Sequence, residues 1–72
     1  MGFSYRFIEF VCHPDIPDVW VCRTRRGHDV LGGVEYYKRW AQWVFQADET
    51  AVFSADCLQD IAHFLKRTKI PA

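Results

Sequence analysis

A chain of 72 residues with nine basic and nine acidic side chains, and so a formal charge of zero, has the length of one domain, and its total charge points neither to a polyanion binder nor to an acidic nucleic-acid mimic. Half of the residues are hydrophobic and 17% aromatic, yet no apolar run approaches the roughly 18 residues that span a bilayer, and Arg6 and Glu9 interrupt the first eleven residues, so neither a membrane helix nor a signal peptide is expected. Cys12, Cys22 and Cys57 are an odd set behind no secretory signal, which points away from a disulfide framework and towards reduced thiols in a cytoplasm.

In chain order, Phe3 to Cys12 is dense in aromatic and β-branched residues. It reads as one strand away from a free edge, with Phe3, Tyr5, Phe7 and Val11 on one side and Ile8, Phe10 and Cys12 on the other. His13 to Asp18 holds two prolines and two aspartates and is expected to be a loop. Val19 to Thr24 alternates as a second strand and would pair with the first as a hairpin. Arg25-Arg26-Gly27-His28 has the make-up of a tight turn in which Gly27 supplies a positive φ. A third strand then runs from about Asp29 to Tyr37, where Gly32-Gly33 marks either a β-bulge or a close backbone approach, the bulge being the plainer reading.

Val34 to Phe45 fits two patterns. Val34, Tyr37, Ala41 and Val44 also make a helical stripe, but Tyr36, Tyr37, Trp40, Trp43, Val44 and Phe45 favour extended chain. The strand reading makes Lys38-Arg39 a turn between strands three and four. Ala47 to Thr50 is a polar connector, and Ala51-Val52-Phe53 a short final strand.

The last segment carries a clear helical signature. Leu58, Ile61, Ala62 and Leu65 fall at i, i+3, i+4 and i+7, with Cys57 and Phe64 widening the stripe. Ser54 stands where an N-cap belongs, Asp56 and Asp60 near the positive end, and Lys66, Arg67 and Lys69 near the negative end. Thr68 to Pro71 supply the stop, because proline disfavours helical geometry at Ile70. The expected fold is therefore α+β: an antiparallel meander sheet of four to five strands with one C-terminal α-helix packed on one face.

Several segments of the second half, Leu31-Gly32, Val34-Glu35-Tyr36-Tyr37, Trp40, Phe45, Phe53-Ser54, Cys57-Leu58, Asp60-Ile61 and Phe64-Leu65, together resemble a group of short proteins of tailed bacteriophages and prophages. The likeness covers about half the chain, and Lys38-Arg39 departs from it where such proteins often carry prolines. It implies a phage or mobile-element origin, a bacterial host cytoplasm and a host factor of defence or replication as a possible target. It carries over no catalytic residue.

Chemistry-bearing residues are sparse. Cys12, His13, Cys22, His28, Cys57 and His63 are the soft metal ligands, but no pair has C-x-x-C or H-x-x-x-H spacing. A two-stranded hairpin would bring Cys12 near Cys22. Buried, reduced cysteines explain them more simply, so neither a metal nor a cofactor is expected. Cys12 and His13 are strand neighbours and point to opposite faces, and no nucleophile or phosphate-loop motif occurs, so an enzyme is not expected.

Two binding readings remain. Arg23, Arg25 and Arg26 at one turn and Lys38 and Arg39 at another, with Trp20, Tyr36 or Trp40 for stacking, would suit single-stranded nucleic acid. The favoured reading is protein–protein binding. One helix cannot cover both faces of so aromatic a sheet, so Trp20, Tyr36, Trp40 and Trp43 are expected at an interface with a second copy or a host protein. Self-association would also support a domain whose small core makes it marginal alone.

Overall fold

The strands follow one another as a simple meander because every connection is short and returns the chain beside the strand it has just left. The computed structural model describes residues 2–68. The expected roles of Lys69, Ile70 and Pro71 at the helix end lie outside the described residues. Strands β1 (Gly2–Ser4), β2 (Ile8–Cys12), β3 (Trp20–Thr24), β4 (Val30–Tyr37) and β5 (Gln42–Ala47) form one antiparallel sheet in the order β1-β2-β3-β4-β5, and helix α1 (Ala55–Arg67) follows. The α+β meander with a single C-terminal helix is thus the observed architecture. No described helix is long and apolar enough to cross a membrane.

Five strands arise by a different division from the expected one. Phe3 to Cys12 is not one strand but a hairpin, with Phe3 opposite Phe10 and Ser4 opposite Glu9, closed by a turn in which Tyr5 N–H donates to the Ile8 carbonyl at 2.8 Å. The fold-back changes the side-chain parity. Phe3 and Tyr5 now share a face with Ile8 and Phe10, and β1 becomes an edge. Conversely, Ala51-Val52-Phe53 is not a strand; Val52 is 87% exposed and only Phe53 turns inward, against the core.

Val34 to Phe45 is two strands, as its composition favours, with Tyr36 opposite Trp43 and Tyr37 opposite Gln42. The turn between them, residues 38–41, includes Trp40, expected in a strand, and ends at Ala41 with φ 52°. In the β3–β4 turn it is His28 and not Gly27 that takes the positive φ, at 57°. At the double glycine both readings have substance. The pairing shifts so that Cys22 faces Gly32 while Arg23 faces Val30, leaving Leu31 as the extra residue of a bulge. A Cβ on Gly32 would collide with the Gln46 carbonyl oxygen, so this rung admits no side chain.

Helix α1 begins as its sequence dictates. Ser54 Oγ accepts the Cys57 N–H at 3.2 Å, Asp56 lies in the first turn and Lys66 and Arg67 in the last. Thr68 caps the other end, its N–H and its hydroxyl both donating to the Phe64 carbonyl, at 3.0 and 2.8 Å. The buried stripe is rotated from the expected one. Ile61 and Phe64 are buried with Cys57 and Leu65 packed beside them, whereas Leu58 is 53% exposed and Ala62 is exposed. The reason is Phe64: its ring stacks flat on Phe10 at 4.0 Å, and bringing it over the sheet centre turns Leu58 and Ala62 outward.

The core is Ile8, Phe10, Cys22, Val34, Ile61 and Phe64, each fully buried large side chain contributing about 1.5–3 kcal/mol. Phe3 and Trp20 meet Phe64 edge-on at 5.4 and 5.3 Å. Burial pushes the Cys22 thiol up to about 12, and the neighbouring Cys57 adds to the effect.

Candidate functional site

The meander sorts its connections to two ends of the sheet. The β1–β2 and β3–β4 turns lie together at one end, and the β2–β3 loop and β4–β5 turn at the other. This separates residues that the sequence reading grouped. Arg25 and Arg26 belong to the first end, Lys38 and Arg39 to the second, so no single surface holds all the basic side chains. Arg23 is also withdrawn, because its Nε donates to Glu9 Oε2 at 2.6 Å on the face away from the helix. His28 Nε2 lies 3.8 Å from the same oxygen.

The aromatic set divides as well. Trp20 and Trp43, expected on an uncovered face, instead pack on the helix side against the core. Tyr36 shares that face through its pairing with Trp43, the rings 5.8 Å apart. Only Trp40 is largely exposed, at 65%, standing edge-on to Tyr37 at 5.0 Å in the turn. The correction has a physical cause: the β1–β2 fold-back and the ring stacking around Phe64 let one helix hide most of the rings. The sheet face it leaves open carries Val11, Val21 and Val44 among the Glu9–Arg23 and Glu35–Gln46 pairs.

Trp43 is the residue around which the remaining candidate surface forms. It lines two shallow hollows beside the C-terminal half of α1. One, of about 320 Å³, is bounded by Phe3, Asp18, Trp20, Phe64 and Arg67, with the Arg67 guanidinium 4.6 Å from the centre of the Phe3 ring. The other, of about 340 Å³, is bounded by Gln42, Ala62, Leu65 and Lys66. The Trp43 indole N–H is buried and donates to no acceptor among the described residues. Trp43 itself belongs to β5, the last strand of the sheet, and on α1 above it Ala62, on the rim of the second hollow, and Leu58, one turn earlier, are both exposed.

Sequence reasoning missed Phe3, Phe64, Asp18 and Arg67 here, because they reach the hollow from three elements far apart in the chain: β1, the β2–β3 loop and α1. It also missed Arg6 and Phe7 at the other end, where they stand beside Arg25 and Arg26. No local signal marked them, because the turn that carries Arg6 and Phe7 contains neither glycine nor proline.

The histidines have structural partners. His13 Nδ1 accepts the Asp15 and Ile16 N–H groups at 3.0 and 3.1 Å, and His63 Nδ1 is 2.8 Å from the Tyr5 hydroxyl. Cys12 faces Trp20 and Cys22 faces Phe10 on the β2–β3 hairpin. Among the described residues no three His, Cys, Asp or Glu side chains gather as a metal site. No family model, curated protein or solved structure matches this chain, so the site is read from its own geometry.

Proposed function

We propose that the protein works by binding other protein chains, and that its first partner is a second copy of itself, joined along β5. The observation behind this reading is an unguarded edge. Gln42-Trp43-Val44-Phe45-Gln46-Ala47 contains no charge and no proline, and pairs with β4 without a bulge; these are the usual devices that stop an edge strand from recruiting another. The Asp48 N–H donating to the Leu31 carbonyl at 2.8 Å sets the phase of the ladder. By the alternation of antiparallel hydrogen bonds, Trp43, Phe45 and Ala47 then direct their backbone groups outward.

Two further features favour an identical partner. Leu58, Ala62 and Leu65 form an apolar flank beside that edge, which a two-fold axis would place against its own copy. A formal charge of zero leaves little self-repulsion to oppose it. In the phage or mobile-element setting that the second half of the chain resembles, such a pair would present its other surfaces to a host protein.

Sedimentation velocity tests the reading. The wild type should sediment as a dimer at high micromolar concentration, and Leu58→Lys combined with Ala62→Glu should return it to monomer with an unchanged circular dichroism spectrum, since both positions are exposed. A wild type that stays strictly monomeric, or a double variant that stays dimeric, overturns it.

A further inference from the structure

We propose that the end of the sheet opposite Trp40 binds single-stranded nucleic acid in a hollow between the β1–β2 and β3–β4 turns, with a base on Phe7 and phosphates on Arg6 and Arg26. The two turns are fastened together by Arg25. Its backbone N–H donates to the Phe7 carbonyl and its guanidinium to the Tyr5 carbonyl, both at 3.0 Å. The hollow they enclose is about 620 Å³ and is lined by Arg6, Phe7, Thr24, Arg25 and Arg26, within the range of about 300–1,000 Å³ typical of small-ligand sites.

Two properties select the ligand. The lining holds three guanidiniums and no carboxylate; the nearby Glu9 is already engaged by Arg23, and the Asp29 carboxylate, which lies over Gly27 in the same turn, offsets only part of the charge, so the hollow keeps a positive excess although the whole chain is neutral. Phe7 is 51% exposed in the same hollow, with the Arg6 guanidinium 5.0 Å from its ring centre. An aromatic face beside unpaired arginines matches a base with its phosphate, because every base offers a π-face and stacking is tolerant of sequence. Arg25 has a positioning role: it makes the hollow by holding the turns, and its fixed guanidinium adds charge. The aromatics first suggested for stacking, Trp20, Tyr36 and Trp40, lie towards the other end, whereas Phe7 lies here.

Fluorescence anisotropy with a labelled oligothymidylate of about twelve nucleotides tests the proposal. The expected result is binding at low salt that weakens roughly 20-fold between about 50 and about 200 mM salt, the slope for about three neutralised phosphates on a single strand. Arg6→Ala and Arg26→Ala should each weaken binding and flatten that slope by about 0.7. Phe7→Ala should weaken it about ten-fold and leave the slope unchanged. Lys38→Ala with Arg39→Ala, at the far end, should bind as the wild type does, and circular dichroism confirms that each variant is folded. Absence of binding at low salt overturns the proposal, as does equal loss in the Lys38/Arg39 variant. Displacement by polyglutamate as effective as by oligonucleotide, with Phe7→Ala silent, would reduce the hollow to plain anion attraction and overturn it too. Equal affinity for free thymidine monophosphate overturns the assignment to a strand. The hollow lies on the β1 side of the sheet, away from the β5 edge, so its failure leaves the self-association reading to stand or fall separately.

Discussion

The two faces of this sheet are built from different materials although they alternate along the same strands. The face under α1 is a ring cluster, with Phe10 flat on Phe64 and Phe3 and Trp20 edge-on around them. The other face is β-branched and ionic, with Val11 beside Val21 and Glu9 paired to Arg23. Small domains have little core to spend, and here the large side chains are concentrated where a single 13-residue helix can cover them. A high aromatic content therefore does not by itself imply an aromatic docking face. What it leaves exposed is decided by parity, and here the exposed surface is an edge, a helix flank and two turns.

The largest expected effect breaks the covered face. Phe10→Ala removes the ring on which Phe64 stacks and should cost about 3–5 kcal/mol in urea unfolding, enough to unfold much of the population. Val21→Ala, on the open face and half-buried, should cost about 1 kcal/mol or less. Similar costs at the two positions would show that the faces are equivalent after all.

A second test uses pH and isolates the covered face. The Cys22 thiol is raised from its ordinary 9.0 to about 12 in the fold, so above about pH 9 the unfolded chain releases a proton that the folded chain keeps. Stability contributed by this group is intact below pH 9 and is lost as pH rises towards about 12, at up to about 1.4 kcal/mol per pH unit. Denaturation curves recorded across that window should show the decline, and Cys22→Ala should remove this part of it. An unchanged pH dependence in the variant would mean that Cys22 is not held protonated by burial.

The smallest effect sharpens the contrast from outside both faces. Trp40 sits in the β4–β5 turn, 65% exposed, and Trp40→Ala should shift stability by no more than about 0.5 kcal/mol. A loss of several kcal/mol would place its ring in the core.

Much of the fold could be read locally because the signals were local chemistry. The Ser54 cap, the charge gradient of α1, the alternation of β3 and β4 and the Lys38-Arg39 turn depend on residues within a few positions of each other. The hairpin inside Phe3 to Cys12 carried no such mark, since neither glycine nor proline occurs at Tyr5-Arg6-Phe7. Ala51 to Phe53 looked extended, yet no strand was left beside it to complete a ladder.

The candidate surfaces were less legible, and for a geometric reason. Helical periodicity defines a stripe only to within about one residue, or roughly 100° of rotation, and the stacking of Phe64 on Phe10, distant in sequence, chose the angle that exposes Leu58. In the same way Arg6 and Phe7 join Arg25 and Arg26 only because a meander brings alternate turns to one end. The amino-acid order alone determined that β3 and β4 extend, that the last segment is a helix and where that helix begins, since these follow from backbone propensity and capping. Only the tertiary structure decided which side chains face one another, because strand parity and helix rotation are settled by contacts between residues far apart in the chain.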